Sequence, residues 1–152
     1  MELREFKAAL KPYTALLGFD FGTKRLGVAV SDLLGLVATA DKTIFRTSWE
    51  EDLAAIRKLV EERGIGGIIY GLPLQMNGEE GETAAAVRKF AGQVAAEIPL
   101  PYAFWDERLS SKAMETFLIK EVDMSRAKRK QVLDSSSAAY ILQGALDALR
   151  YL

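Results

Sequence analysis

A short apolar run that ends on an acid constrains this chain more than any other feature. Residues 15–19 are apolar, and Asp20 follows them directly. A run of this length, bounded by Pro12 and Gly22, is typical of a buried strand. A carboxylate at the edge of a core strand costs desolvation free energy unless a cation or hydrogen-bond donors compensate it. Asp20 is therefore either the first residue of a turn or part of a charged site.

The composition narrows the chemistry that such a site can use. The chain has 152 residues, of which 49% are hydrophobic and 27% charged, and it contains neither histidine nor cysteine. This excludes Ser-His-Asp and Cys-His catalysis, and it excludes zinc sites built from histidine or thiolate ligands. Any metal would be held by oxygen ligands, which favours magnesium, manganese or calcium.

The apolar and polar patterning predicts one mixed α/β domain. No apolar stretch approaches a membrane span, and the first residues lack a signal-peptide core, so we expect a cytoplasmic protein with no membrane partner. Residues 1–14 form an extension without a functional interpretation, and residues 15–152 form the domain. The predicted strands cover 15–20, 26–30, 36–45, 67–71 and 102–105. Helices are predicted from a capping box at Ser48, along the stripe from Val87 to Ile98, from about Ser111, and from about Ser125 to Leu149.

A second acid lies on the inward stripe of the last predicted helix. Ala138, Ile141, Ala145 and Leu149 follow the spacing of one apolar face, and Asp134 lies one turn before them on the same stripe. The small side chains of residues 135–139 allow this helix to approach the sheet closely. The alternative is a frayed helix start with Asp134 as its N-cap and the preceding basic segment in a loop.

The pair Asp106 and Glu107 directly follows the last predicted strand. Ligands collect beyond the carboxyl ends of parallel strands, so this pair and Asp20 can meet at one edge of the sheet. The alternative is an ordinary charged strand exit with an internal ion pair. If Asp20 were not the functional acid, Asp32 or Asp106 would be the next candidate.

Polar side chains near these acids are candidates for contacts with a polyanion, although basic clusters often form only a solvated face. The loop that begins at Leu72 carries amide donors, and it is either a rim over the acids or a mere connector. The candidate substrate-binding residues are Lys24, Arg25, Arg108, Gln75, Asn77, Lys128 and Lys130. Carboxylates arranged in this way suit two divalent cations about 4 Å apart that clamp a phosphodiester, and no histidine base is required.

These segments resemble the YqgF family, also called RuvX, of RNase H-like nucleases. The resemblance rests on residues 18–32, 71–78, 106–110 and 134–139, which occur in the family's order. It implies a five-stranded mixed sheet of order 3-2-1-4-5 flanked by helices, with the last two strands parallel to the first. It also implies that Asp20, Glu107 and Asp134 are the catalytic residues and the ligands of Mg²⁺ or Mn²⁺.

The resemblance further implies a metal-dependent endonuclease that matures the 5′ end of pre-16S rRNA, or a resolvase that cuts branched DNA at Holliday junctions. The expected partners are pre-rRNA or branched DNA and the small ribosomal subunit, with the chain a monomer or weak homodimer. Two departures from the family are visible. Ser135 stands where the family often has lysine, and the strand ending at Gly71 has no acid, so Glu107 would have to reach across.

Two other functions are compatible with parts of the pattern. Residues 20–23 also resemble the phosphate loop of sugar kinases and actin-like ATPases, but those proteins need a second domain that 152 residues do not provide. A non-catalytic module that binds structured RNA is the other alternative, and an isoelectric point near 5.6 favours it because net charge does not attract the chain to nucleic acid. The three acids favour the nuclease.

Overall fold

The computed structural model describes residues 2–107 and 126–152, with the side chains of the second range described from residue 137 onward. The helices and strands, in chain order, are α1 (Leu3–Ala9), β1 (Ala15–Phe21), β2 (Arg25–Ser31), β3 (Ala38–Ala40), β4 (Ile44–Phe45), α2 (Trp49–Arg63), β5 (Ile65–Leu72), α3 (Glu82–Glu97), β6 (Tyr102–Asp106) and α4 (Arg126–Arg150). The helix predicted from about Ser111 lies outside the described residues. None of the helices in the described part is long and apolar enough to span a bilayer.

The strands form one mixed sheet whose order is β3-β2-β1-β5-β6, with β4 paired to β2 beside β3. β1 and β2 are antiparallel, whereas β5 is parallel to β1 and β6 is parallel to β5. The predicted α/β class, the antiparallel start and the parallel second half are therefore confirmed. Because β3 and β4 together occupy the place of the predicted third strand, the predicted order 3-2-1-4-5 is retained.

The predicted count of five strands is wrong because the third strand is interrupted. Ala40 pairs with Ala29 and Ile44 pairs with Leu26. The segment from Ala40 to Ile44 therefore advances by four residues, while the facing segment of β2 advances by three. One extra residue on one strand is a β-bulge, and it shifts the following side chains to the opposite face. Ile44 consequently points into the core, and its neighbour Phe45 faces the other way.

Helices cover the sheet on both faces. On one face α2 and α3 pack over a cluster that includes Phe19, Tyr70 and Phe90. On the other face α4 packs over a second cluster, to which Phe6 of α1 also belongs. Phe6 is completely buried, so the residues before β1 contribute to the core.

The ends of the helices follow local sequence signals where these are strong. Ser48 Oγ accepts a hydrogen bond from the Glu51 amide at 3.2 Å, and Gly64 ends α2 in the left-handed region at φ 62°. The predicted N-cap at Ser48 is therefore confirmed, whereas the Glu51 carboxylate accepts from the Thr47 hydroxyl. α4 already begins at Arg126, two turns before Asp134, so the interpretation of Asp134 as an N-cap after a basic loop is wrong.

α4 lies unusually close to β1 because both carry small residues at their contact. A Cβ built on Gly18 would lie 2.8 Å from Leu142 Cβ and 3.3 Å from the Ala138 carbonyl oxygen. Ala138 and Ala145 are completely buried along this contact, as the predicted stripe requires. A larger residue at position 18 would push the helix away from the sheet.

We expect Gly18→Ala to lower the free energy of unfolding by about 1–3 kcal/mol, the usual cost of overpacking a tight contact. The matched control is Gly92→Ala in α3, where an added Cβ meets nothing within 4 Å and alanine should stabilise the helix by up to about 1 kcal/mol. Denaturant unfolding of both variants measures the difference. Equal effects at the two positions would contradict the close approach of α4.

Candidate active site

The carboxyl edge of the sheet carries Asp20 between two glycines on neighbouring strands. Asp20 pairs with Gly27 of β2, and on the other side Phe19 pairs with Tyr70, so that the next position of β5 is Gly71. Side chains of paired residues lie on the same face of a sheet. Asp20 is half-buried on the face covered by α4, and neither of these glycines places a side chain beside it.

Glu107 fills the space above Gly71. A Cβ built on Gly71 would lie 2.4 Å from Glu107 Oε2 and 2.5 Å from Ile141 Cδ1 of α4. The Glu107 amide donates to the Leu72 carbonyl oxygen at 3.3 Å, which continues the β5–β6 pairing beyond β6. Glu107, which follows β6, therefore reaches over β5, the strand that has no acid of its own. Neighbouring strands lie about 4.8 Å apart, so Glu107 comes within one strand spacing of Asp20.

Asp106 points to the opposite face. It pairs with Leu72, whose side chain belongs to the α2–α3 cluster, and Asp106 itself is exposed. Alternation along β6 thus separates two acids that are neighbours in the sequence. Of the pair, Glu107 is the residue that shares a face with Asp20.

The Glu107 carboxyl group is held in an environment that disfavours its charge. Burial raises its pKa, and the nearby negative charge of Asp106 raises it further. A divalent cation would reverse both effects, because a positive charge at the carboxylate favours the ionised form.

The direction of α4 places Asp134 toward the same edge. Leu142 and Ala138 contact Gly18, and Leu149 lies toward the amino end of β1, so the helix runs antiparallel to that strand. One further turn back from Ala138 brings the backbone of Asp134 toward Asp20. The Asp134 side chain lies outside the described residues, and among the described side chains no group of three acids is close enough to hold a metal.

Of the proposed phosphate-binding cations, the structure describes the side chains of Lys24 and Arg25. Lys24 is exposed in the turn after β1, and Arg25 begins β2 and is half-buried. Arg108 lies outside the described residues. Lys128 and Lys130 fall within α4, upstream of Asp134, and their side chains lie outside the described part. The roles of these five residues remain predictions.

The loop after β5 is a tightly folded hairpin that is tied to α3. The Gln75 amide donates to the Glu79 carbonyl oxygen at 2.8 Å, and Asn77 Oδ1 accepts from the Glu79 amide at 3.0 Å. Arg88 of α3 donates to Glu80 at 3.0 Å, and this bond holds the pKa of the Glu80 carboxyl below its usual value. Asn77 thus supports the turn, while Gln75 lies against Gly81. Substrate contacts by Gln75 and Asn77 remain predictions.

Asp32, the reserve candidate for the functional acid, has a structural role elsewhere. It follows β2, which is antiparallel to β1, so it lies at the edge of the sheet opposite Asp20. Its Oδ1 accepts from the amides of Leu36 at 2.7 Å and Val37 at 3.1 Å. These backbone hydrogen bonds, with Val37 as the larger contribution, lower the pKa of Asp32.

Arg46 braces the turn that follows Asp20, and the sequence interpretation missed it. Its guanidinium donates to the Gly22 carbonyl oxygen at 3.1 Å and to Asp52 at 3.3 Å. The same group lies 5.0 Å from the ring centroid of Phe21 and 5.1 Å from that of Phe90. The sequence did indicate a buried ion pair, because Asp52 lies on the apolar stripe of α2. A buried acid on such a stripe needs a partner.

We expect Arg46→Met to lower the free energy of unfolding by about 3 kcal/mol, because it leaves the Asp52 carboxylate, 5% exposed, without its cation. The matched control is Arg57→Met, which breaks an ion pair with Glu97 whose side chains are 47% and 51% exposed. That change should cost less than about 1 kcal/mol. Urea unfolding compares the two, and an equal cost would show that the brace contributes little.

Two resolvases of solved structure share the architecture of this chain. Thermus thermophilus RuvC in complex with a Holliday junction substrate aligns with a TM-score of 0.56 at 14% identity, covering 91% of this chain and 96% of RuvC. Fowlpox virus resolvase with its Holliday junction DNA gives a TM-score of 0.56 at 8% identity, covering 90% and 99%. At such identities the likeness shows the fold alone, and it defines the chain as an RNase H-like α/β protein.

Sequence comparison gives the family. The model of RuvX, described as a Holliday junction resolvase, matches residues 14–148. A Cereibacter sphaeroides protein called "Putative pre-16S rRNA nuclease" is 49% identical over 99% of this chain and 93% of its own length. A Rhodospirillum rubrum protein of the same name is 46% identical over 97% and 91%. The chain belongs to the RuvX family and is a nuclease.

Proposed function

We propose that this chain is a divalent-metal-dependent endonuclease that hydrolyses phosphodiester bonds in the maturation of the 5′ end of pre-16S rRNA. The observation that carries the proposal is the placement of Glu107 Oε2 above Gly71, beside Asp20 and on the same face of the sheet. Two carboxylates from different strands at one carboxyl edge form a site for oxygen-binding cations.

The residues present fit Mg²⁺ or Mn²⁺. Asp20 and Glu107 supply carboxylate oxygens, the space above Gly71 brings them together, and Asp134 would complete the set from α4. When bound, the metal would activate a water and stabilise the leaving oxygen. Lys24 and Arg25 contact the phosphates next to the cleaved one. These contacts position the cleaved phosphate without reading the base sequence. We assign this activity to the domain of residues 15–152, to whose core Phe6 of the preceding residues also contributes.

The substrate assignment rests on the relatives' names. Proteins that are 46–49% identical to this chain over nearly its whole length carry the name pre-16S rRNA nuclease. A role in pre-16S rRNA maturation favours a cytoplasmic site of action and the small ribosomal subunit as a partner. That the chain acts as a monomer or weak homodimer remains a prediction. A resolvase that cuts branched DNA is the second candidate, because the family description and the RuvC fold both point to it.

We expect Glu107→Gln to abolish cleavage, because the amide cannot supply the negative charge that holds the cation. Its matched control is Asp106→Asn, which removes the neighbouring acid on the opposite face and should leave cleavage intact. In the metal-free protein Glu107→Gln should leave the melting temperature unchanged or raise it, since the raised pKa shows that the ionised form is disfavoured on folding.

Mn²⁺ should stabilise the parent by about 2.7 kcal/mol at a concentration one hundred times its dissociation constant, and it should stabilise Glu107→Gln much less. Thermal melts with and without Mn²⁺ therefore test the ligand role independently of activity. If Asp106→Asn loses cleavage and Mn²⁺ stabilisation while Glu107→Gln keeps both, the assignment of the acid is wrong.

A direct comparison of substrates separates the two candidate functions. We expect cleavage of an rRNA precursor that contains the 5′ end of 16S rRNA, in Mg²⁺ or Mn²⁺, to exceed cleavage of a four-way DNA junction at equal concentration. Asp20→Asn is the inactive control for both. Faster cutting of the junction would establish the resolvase instead, and binding of the precursor without cleavage of either would establish a non-catalytic module.

A further inference from the structure

We propose that Phe45 and Arg25 form a stacking platform for an unpaired nucleobase next to the acid site. The inference rests on the proposed function, because it identifies part of the substrate that the same site would hold. Phe45 lies on β4 at the edge of the sheet, and its side chain is 57% exposed. The guanidinium carbon of Arg25 lies 5.9 Å from the centroid of its ring.

The register of the strands places this pair on the face of the sheet that carries Asp20. Asp20 pairs with Gly27, Arg25 precedes Gly27 by two residues, and Phe45 pairs with Arg25. Because paired residues share a face and side chains alternate along a strand, Phe45, Arg25 and Asp20 all project to the same side. Phe45 therefore shares a face with Asp20, two strand spacings or about 10 Å across the sheet and two residues farther along the strand direction.

The β-bulge between β3 and β4 is what gives Phe45 this direction. Without the extra residue, Ile44 would face α4 and Phe45 would face the α2–α3 side of the sheet. With it, Ile44 is buried at 7% exposure and Phe45 is exposed. The bulge therefore places an exposed aromatic ring beside the Arg25 guanidinium.

The chemistry of the pair matches an unpaired base and its phosphate. Bases stack on aromatic rings irrespective of sequence, and an adjacent arginine can contribute both a cation–π interaction and a phosphate contact. A base paired within a duplex cannot present its face to a ring. The platform therefore favours substrates that are single-stranded on the side of β4, in RNA or DNA.

The test measures binding without cleavage, in the Glu107→Gln background. The probe is a short single-stranded RNA carrying one 2-aminopurine, whose fluorescence is quenched by stacking, with single-stranded DNA and a blunt RNA duplex of the same sequence as further arms. Phe45→Leu keeps an apolar side chain but removes the π-face, and Phe45→Trp keeps it. Tyr151→Leu is the control, since Tyr151 is 87% exposed beyond the far end of α4.

We expect Phe45→Leu to weaken single-strand binding about 5- to 100-fold, the range that corresponds to stacking of one base. Phe45→Trp and Tyr151→Leu should bind like the parent, duplex binding should change less than single-strand binding, and melting temperatures should not move. The ratio of the RNA and DNA arms tells which strand is preferred.

Unchanged single-strand binding by Phe45→Leu would overturn the platform, as would an equal loss for duplex and single strand. These results leave the proposed nuclease activity standing. If instead Phe45→Leu loses single-strand binding but the parent does not cleave any substrate, the platform holds and the proposed catalysis fails.

Discussion

The contact between α4 and β1 sets the geometry on which the rest of the site depends. With no side chain at Gly18, the helix lies close enough for Leu142 to fill the position that a Cβ would need, at 2.8 Å. That distance brings Ile141 over Gly71 and leaves room beside it for the Glu107 carboxylate. A wider gap would open the site to water, and water would screen the electrostatic interactions between the acids and a bound cation. Small residues in the helix and in the strand are thus a condition for an acid site at this edge.

The second carboxylate at this edge depends on the missing side chain of Gly71 and on the length of the Glu107 side chain. The strand next to Asp20 ends at Gly71 and contributes no acid, so the second carboxylate comes from the strand beyond it. Glu107 is long enough to cross Gly71, whereas a Cβ at that position would lie 2.4 Å from its oxygen. The cost is desolvation, visible as the raised pKa of Glu107.

The two faces of the sheet near Asp20 differ: Arg46 braces the turn from the α2–α3 face, and Arg25 and Phe45 lie on the α4 face. Arg46, held by Asp52 and two aromatic rings, fixes the turn after Asp20 from the α2–α3 face. On the α4 face, Phe45 is exposed at the edge of the sheet beside the half-buried Arg25. This division suits a nuclease, because the acids must stay in register while a flexible strand of nucleic acid enters.

The sequence by itself determined the fold class, the strand directions and the candidate acids, because these follow from apolar periodicity, from capping signals such as Ser48, and from motifs shared with the RuvX family. The resemblance favoured Glu107, but the residue pattern alone does not distinguish Glu107 from the adjacent Asp106. The pairing of Asp106 with Leu72 decided which of the two shares a face with Asp20. Nor could the residue pattern give the bulge that turns Phe45 outward, or the brace of Arg46 on Gly22. Those features depend on register and on contacts between residues distant in the chain, and local propensity carries no information about either.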